Sequence, residues 1–219
     1  MRTSDVASAA ATVLSAGYVA ATGFRTADRP LNVNRPTEGA RLKPDEEAHT
    51  ERALTVFQAY HARLGEAARG PVRLLVEVHG NSRPENVGLI EVATVGIATA
   101  SAELLRAGLN SRFPALRVAV EPADRVHYAA TATKRWGSLS RIPQALHVEF
   151  PKDPREPAKA RETGKKLGLA LNAWLTAPAS VSAAASASAG KDRSGPRSGR
   201  DDRRGSPAGT APSAFDRPR

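Results

Sequence analysis

The amino-acid sequence predicts an α/β domain over residues 1–177, a mixed and mostly parallel sheet flanked by helices, followed by a disordered basic tail over residues 178–219. Three observations carry this expectation. Short apolar runs with a period of two alternate along the chain with longer stretches of helical period, which is the spacing of βαβ units. The first 177 residues are enough to bury a real core. Beyond Trp174-Leu175 the chain turns to Ala, Ser, Gly, Pro, Arg and Asp, with no large apolar residue between Val181 and Phe215. Such a segment cannot offset its chain entropy by burial.

The elements follow in order. Ser4 or Asp5 caps an Ala-rich helix that runs to Ser15-Ala16 and closes at Gly17. Residues 18–21 read as a short strand, and Pro30-Leu31-Asn32-Val33-Asn34-Arg35-Pro36 as an extended piece that presents Arg35 on a loop. Pro44-Asp45-Glu46-Glu47 starts a helix, with proline in the first turn and carboxylates at the positive end of the dipole. Leu54, Phe57, His61 and Leu64 share its apolar face, where His61 reads as a packing histidine, and Gly70-Pro71 ends it. A strand follows over residues 72–79, then a polar loop to Val87, an apolar strand within 88–98, a helix over 100–109 and a strand over 116–120. Residues 121–139 form a long loop bearing His127, Tyr128, Lys134, Arg135 and Trp136, of the length that binding segments and lids have. A strand over 145–150 and a helix over 155–175, with Leu167, Leu171 and Trp174 on one stripe, complete the domain.

Composition excludes some chemistries and weakens others. With no cysteine, disulfides and thiolate metal sites are ruled out, so a metal would need His and carboxylate ligands. No stretch has transmembrane hydrophobicity; residues 6–24 come nearest but are mostly Ala, Ser, Thr and Gly, so a cytoplasmic chain without membrane contact is expected. The formal charge is +10, yet eight Arg/Lys against four Asp put +4 in the tail and leave +6 scattered over the domain. Without basic–aromatic interleaving, nucleic-acid binding stays a secondary expectation, carried by the tail.

The stretch that concentrates chemistry is Val76-Glu77-Val78-His79-Gly80. Glu77 and His79 share one strand face, and His79 falls at the carboxyl edge of the sheet, where ligands of open α/β folds sit. Ala145-Leu146-His147-Val148-Glu149-Phe150 mirrors it, with His147 and Glu149 on one face. A glutamate and a histidine two apart are costly to bury unless paired or used, and here the pattern occurs twice. Zinc-assisted hydrolysis, metal-free acid–base chemistry and a buried structural ion pair all fit that spacing.

The order of motifs Asn34-Arg35-Pro36, an acidic helix leading to Tyr60-His61, Val76-Glu77-Val78-His79-Gly80 and Ile90-Glu91-Val92-Ala93 resembles the N-formylglutamate amidohydrolase family, whose fold is similar to the zinc carboxypeptidases. The resemblance covers roughly residues 5–175. It implies a zinc-dependent hydrolase acting on an amide bond beside a carboxylate, with His79 as a zinc ligand and Glu149 as the general base. Arg35, with Arg83 as a second candidate, would hold the carboxylate of a small-molecule substrate. The chain departs from the family in placing Asn32 and Glu77 at aspartate positions, and in lacking the Pro-His-x-Gly loop that supplies the family's first metal histidine. The expectation is therefore a piece of a longer gene product, a non-catalytic relative that binds a small carboxylate or a protein, or a site completed by His127 or His147.

Overall fold

A computed structural model describes residues 2–24, 30–39 and 43–178 of the chain, and the expected tail from residue 179 lies outside them. The fold is α/β, as the alternation of periods predicts. The described helices are α1 (Thr3–Leu14), α2 (Glu51–Ala68), α3 (Thr99–Arg112), α4 (Thr131–Trp136) and α5 (Ala160–Thr176). The strands are β1 (Thr37–Glu38), β2 (Ala48–His49), β3 (Leu74–Gly80), β4 (Leu89–Val95), β5 (Arg117–Val120) and β6 (Gln144–Phe150).

β1 and β2 form a two-residue antiparallel ladder, and the main sheet has the order β3-β6-β4-β5. Two parallel pairs, β3 with β6 and β4 with β5, are joined by an antiparallel pair, β4 with β6. One face of this sheet carries Ile90, Val92, Leu146, Val148 and Phe150, which pack with Val6 and Ala10 of α1, Leu105 and Leu109 of α3, and Leu167 and Leu171 of α5. Burying this many aliphatic side chains, at about 1.5–3 kcal/mol each, is the main stabilising term. α1 lies close on α5 because Gly164 has no side chain: a Cβ there would sit 2.2 Å from the Val6 carbonyl oxygen. The opposite face is apolar only at its lower end, where Leu75, Ala93, Ala130, Leu139 and Ala145 cluster.

Several local expectations give way to tertiary contacts. α2 starts at Glu51, capped by Thr50, whose Oγ1 accepts from the Ala53 N–H at 3.1 Å, while Pro44–Glu46 is a single 3₁₀ turn. Of the carboxylates that mark a helix start in sequence, Glu46 caps only that turn, accepting from the Lys43 N–H, and Glu47 is drawn into a buried pair with Arg35. On α2 the buried residues are Ala53 and Phe57, and Leu54 is exposed. α1 is closed by Ser15 in the left-handed region (φ 50°); Gly17 serves a different need, because a Cβ there would lie 2.2 Å from the Ala67 carbonyl oxygen. α3 runs through Gly108 because Leu105 and Leu109, on either side, are both anchored in the core. Residues 18–21 form no strand, and the long 121–139 segment folds in part as α4 and the turn Ser138–Arg141. α5 begins at Ala160, since Asp153–Arg155 makes a separate turn before it. Among the described residues, no helix is long and apolar enough to cross a membrane.

Candidate metal centre

The parallel register of β3 and β6 builds the site. It sets Glu77 opposite His147 and His79 opposite Glu149, so the two mirrored dipeptide patterns interlock on one face of the sheet. The antiparallel neighbour β4 continues the row, with Ala93 opposite His147 and Glu91 opposite Glu149. The small side chain of Ala93 leaves room above His147, which is 1 % exposed.

Glu77 is the hub. Its Oε2 accepts from Asn34 Nδ2 at 2.8 Å and lies 3.2 Å from His147 Nδ1 and 3.3 Å from His79 Nε2, while Oε1 accepts from the Ser138 hydroxyl. Nε2 of His147 faces Glu149 Oε1 at 3.2 Å. The two imidazoles stack with ring centroids 4.0 Å apart, and Tyr128 tilts against His147 at 5.3 Å. One donor atom from each of Glu77, His79 and His147 lies within 4.8 Å of the others, so this largely buried group could hold a metal ion.

Electrostatics follow the contacts. Burial alone would raise the Glu77 and Glu149 carboxyls, but the hydrogen bonds to His147 outweigh it and hold both below their ordinary range. The charges of His79, His147 and Arg155 add to the effect on Glu149. Burial would lower His147, yet its hydrogen bonds to Glu149 and Glu77 push it up to about 9. In the metal-free chain both ring nitrogens therefore donate, one to each carboxylate. Tyr60, which lines the cleft, is raised by burial, by the charge of Glu77 and by a hydrogen bond to it.

Arg155 fixes the strand ends that carry His79 and Glu149. Its Nε donates to the Phe150 and Pro151 carbonyls, both at 3.0 Å, and Nη2 to the Asn81 carbonyl at 2.7 Å. Gly80 must be glycine for this clamp, since a Cβ there would sit 2.2 Å from Arg155 Nη1. One oxygen of the neighbouring carboxylate, Glu149 Oε2, is buried and has no hydrogen-bond partner among the described residues.

The structure thus gathers His79, Glu149 and Arg83 along one cleft, with Arg83 exposed and its guanidinium 5.7 Å above the Tyr128 ring. Arg35 lies on the same cleft but is not presented to solvent. It is 5 % exposed and its fork is spent on Glu47, with Nε 2.6 Å from Oε2 and Nη2 on Oε1, while Thr37 donates to the same carboxylate. His127 stands apart: its side chain is exposed, and its backbone N–H donates to Glu91. His61 packs edge-on against Phe57 with centroids 4.7 Å apart, as its place on the apolar stripe predicts. Sequence reasoning treated Glu77 as one end of a pattern and missed its partners Asn34 and Ser138, and it missed Arg155. The signal for Asn34 and Ser138 is absent from local spacing, because they lie 43 and 61 residues from Glu77. No family model matches the chain, and neither a curated protein nor a solved structure does so.

Proposed function

We propose that the chain is a zinc-dependent hydrolase that cleaves the amide bond of an N-acyl amino acid or a similar small carboxylate. The observation that carries this reading is the convergence of Glu77, His79 and His147, with the carboxylate of Glu149 beside them on the same cleft. A catalytic zinc takes about three protein ligands, and two imidazoles with one carboxylate suit it. Zinc bound there would polarise the amide carbonyl and bring the pKa of water toward neutrality.

The chain's own residues supply the rest. With Nε2 of His147 donating to Glu149 Oε1, Nδ1 is the nitrogen that would turn to a metal on giving up the proton it shares with Glu77. Glu149 Oε2, buried and without a partner among the described residues, is the oxygen that takes a proton from the attacking water and returns it to the leaving amine nitrogen. Arg83, at the mouth, pairs with the substrate carboxylate through its two-pronged guanidinium. Tyr128, under Arg83 and against His147, walls the position between them.

A second reading, a non-catalytic module that binds a small carboxylate, is favoured by one observation. Glu77 is already satisfied by Asn34 and Ser138 and neutralised by His147 without any metal. Zinc content of the full chain after purification with zinc present, followed by a panel of N-acyl amino acids, separates the two. Stoichiometric zinc that is lost in His79→Ala and His147→Ala, with turnover of an N-acyl amino acid, supports the hydrolase. A zinc-free parent refutes it, and zinc without turnover of any panel member leaves the binding module.

A further inference from the structure

Glu91 of β4 stands on the face of the sheet that carries the metal centre, opposite Glu149 of β6, and is 1 % exposed. It takes no part in the proposed hydrolysis, yet a carboxylate this deep is costly to bury unless its oxygens are met. Glu77 and Glu149 meet the imidazole of His147. Glu91 is met instead by neutral donors from two loops. Its Oε2 accepts from Asn86 Nδ2 and its Oε1 from the His127 backbone N–H, groups 5 and 36 residues away along the chain.

What the two loops carry gives these contacts their use. Asn86 closes the 3₁₀ turn Pro84–Asn86, whose N-cap is Arg83, and the Asn86 N–H donates to the Arg83 carbonyl at 3.1 Å. On its other side the Arg83 N–H donates to Asn81 Oδ1 at 2.9 Å, and the Asn81 carbonyl is held by Arg155. His127 directly precedes Tyr128, whose ring tilts against His147 and lies 5.7 Å below the Arg83 guanidinium. One oxygen of Glu91 thus holds the turn that presents the cation, and the other holds the loop that presents the ring.

Both partners donate, so both atoms at the end of the side chain must accept, and a carboxylate does this without rearrangement. A glutamine would set an amide NH₂ against one of the donors unless the Asn86 amide turned over. Asn86 Oδ1 is buried and has no hydrogen-bond partner among the described residues, so turning it breaks no bond at that oxygen and offers the new amide an acceptor. The gain from such a hold is entropic. Arg83 is exposed and its side chain is long, so ordering it on a ligand is costly, and a fixed backbone with a ring beneath the guanidinium removes part of that cost beforehand.

We infer that Glu91 is a positioning residue for ligand binding: it fixes the Arg83 turn relative to the Tyr128 loop and so pre-orders the guanidinium over the ring for a substrate carboxylate. The inference rests on the reading that Arg83 receives that carboxylate. The hold on the two loops needs neither zinc nor turnover. Glu91 touches none of Glu77, His79 and His147 through its printed hydrogen bonds, so loosening it acts on the grip and leaves the metal ligands in place.

Full-chain variants Glu91→Ala and Glu91→Gln test this, with Tyr128→Leu as the control that assigns the signal. The readouts are the upfield ring-current shift that Tyr128 imposes on the Arg83 side-chain protons, zinc content, and KM and kcat for N-acetylglutamate. The shift is expected in the parent, lost in Tyr128→Leu and Glu91→Ala, and kept in Glu91→Gln. In Glu91→Ala zinc content should hold while KM rises about tenfold and kcat stays within about twofold. If Glu91→Ala does not fold, Asn86→Ala, which frees the Arg83 turn alone, carries the same expectation. A shift absent from the parent, a shift retained in the folded alanine variant, equal loss in Glu91→Gln, or a lost shift with unchanged KM each overturns the inference. A parent without zinc or turnover sinks the hydrolase reading instead; the Arg83 shift and the dissociation constant for N-acetylglutamate then decide the role of Glu91.

Discussion

Replacing His147 by alanine removes the one cation held between two buried carboxylates. In the metal-free chain Glu77 and Glu149 each sit 3.2 Å from a His147 nitrogen, and Glu77 and His147 are at most 4 % exposed. Alanine leaves the two carboxylates on neighbouring strands without the imidazole that bridges them, with His79 beside Glu77 and Arg155 near Glu149 as the remaining basic groups. Breaking a buried ion pair from one side costs about 3–5 kcal/mol, a large part of a typical total of roughly 5–15 kcal/mol. With a urea slope of about 2 kcal/mol/M, the midpoint falls by roughly 1.5–2.5 M. The assay is urea unfolding of the full chain in chelator at neutral pH, followed by the fluorescence of Trp136 and Trp174. Adding Glu77→Gln and Glu149→Gln to His147→Ala removes the unpaired charges and is expected to recover about half of the loss. A loss below about 1 kcal/mol for His147→Ala, or no recovery in the triple variant, would refute the reasoning that the triad is an ion network in the apo chain.

Three further outcomes follow from the geometry. Gly80→Ala is expected to cost about 1–3 kcal/mol, because its Cβ meets Arg155 Nη1 at 2.2 Å; Arg155→Ala in the same chain should show non-additivity in a double-mutant cycle read by urea midpoints. Burial lowers the His61 pKa, the charge of Arg141 adds to that, and Glu77 opposes it, so the folded chain holds His61 neutral where the unfolded chain takes a proton. Stability should therefore fall as pH drops below the unfolded value of about 6.5, and His61→Phe should flatten that part of the curve when midpoints at about pH 5.5 and 7.5 are compared. Arg83→Ala is expected to raise KM for an N-acyl amino acid about tenfold or more with kcat nearly unchanged. Arg35→Ala, by breaking the buried pair with Glu47, should instead lower stability by about 3–5 kcal/mol, which thermal melting distinguishes.

Much of the fold was legible because its signals are local. The period-two runs around Val76 and Val148 mark the two strands that hold the site, and the stripe Leu167-Leu171-Trp174 marks α5 with its inward face. Helix starts were legible only where no distant partner competed: Thr50 displaced Pro44 as the start of α2 because Glu47 had a better use against Arg35. Of the site, the repeat of Glu-x-His and His-x-Glu was visible, and so was the expectation that the two would meet. Which histidine joins His79 was not, since His127 and His147 carry equal weight in a list of residues.

By itself, the sequence determined the class of fold, the two strands that carry the Glu-x-His and His-x-Glu pairs and the absence of any thiolate ligand, because strand period, helix stripe and composition are properties of short stretches. Only the tertiary structure decided that Glu77 is the hub, that Arg35 is buried against Glu47 while Arg83 is exposed at the mouth over Tyr128, and that β3 lies at one end of the four-stranded sheet among the described residues. Each of these depends on the strand order β3-β6-β4-β5 and on a register that sets residue 77 against 147 and 79 against 149. Such pairings join segments about seventy residues apart, and their energies come from burial and hydrogen bonding between groups that share no local pattern.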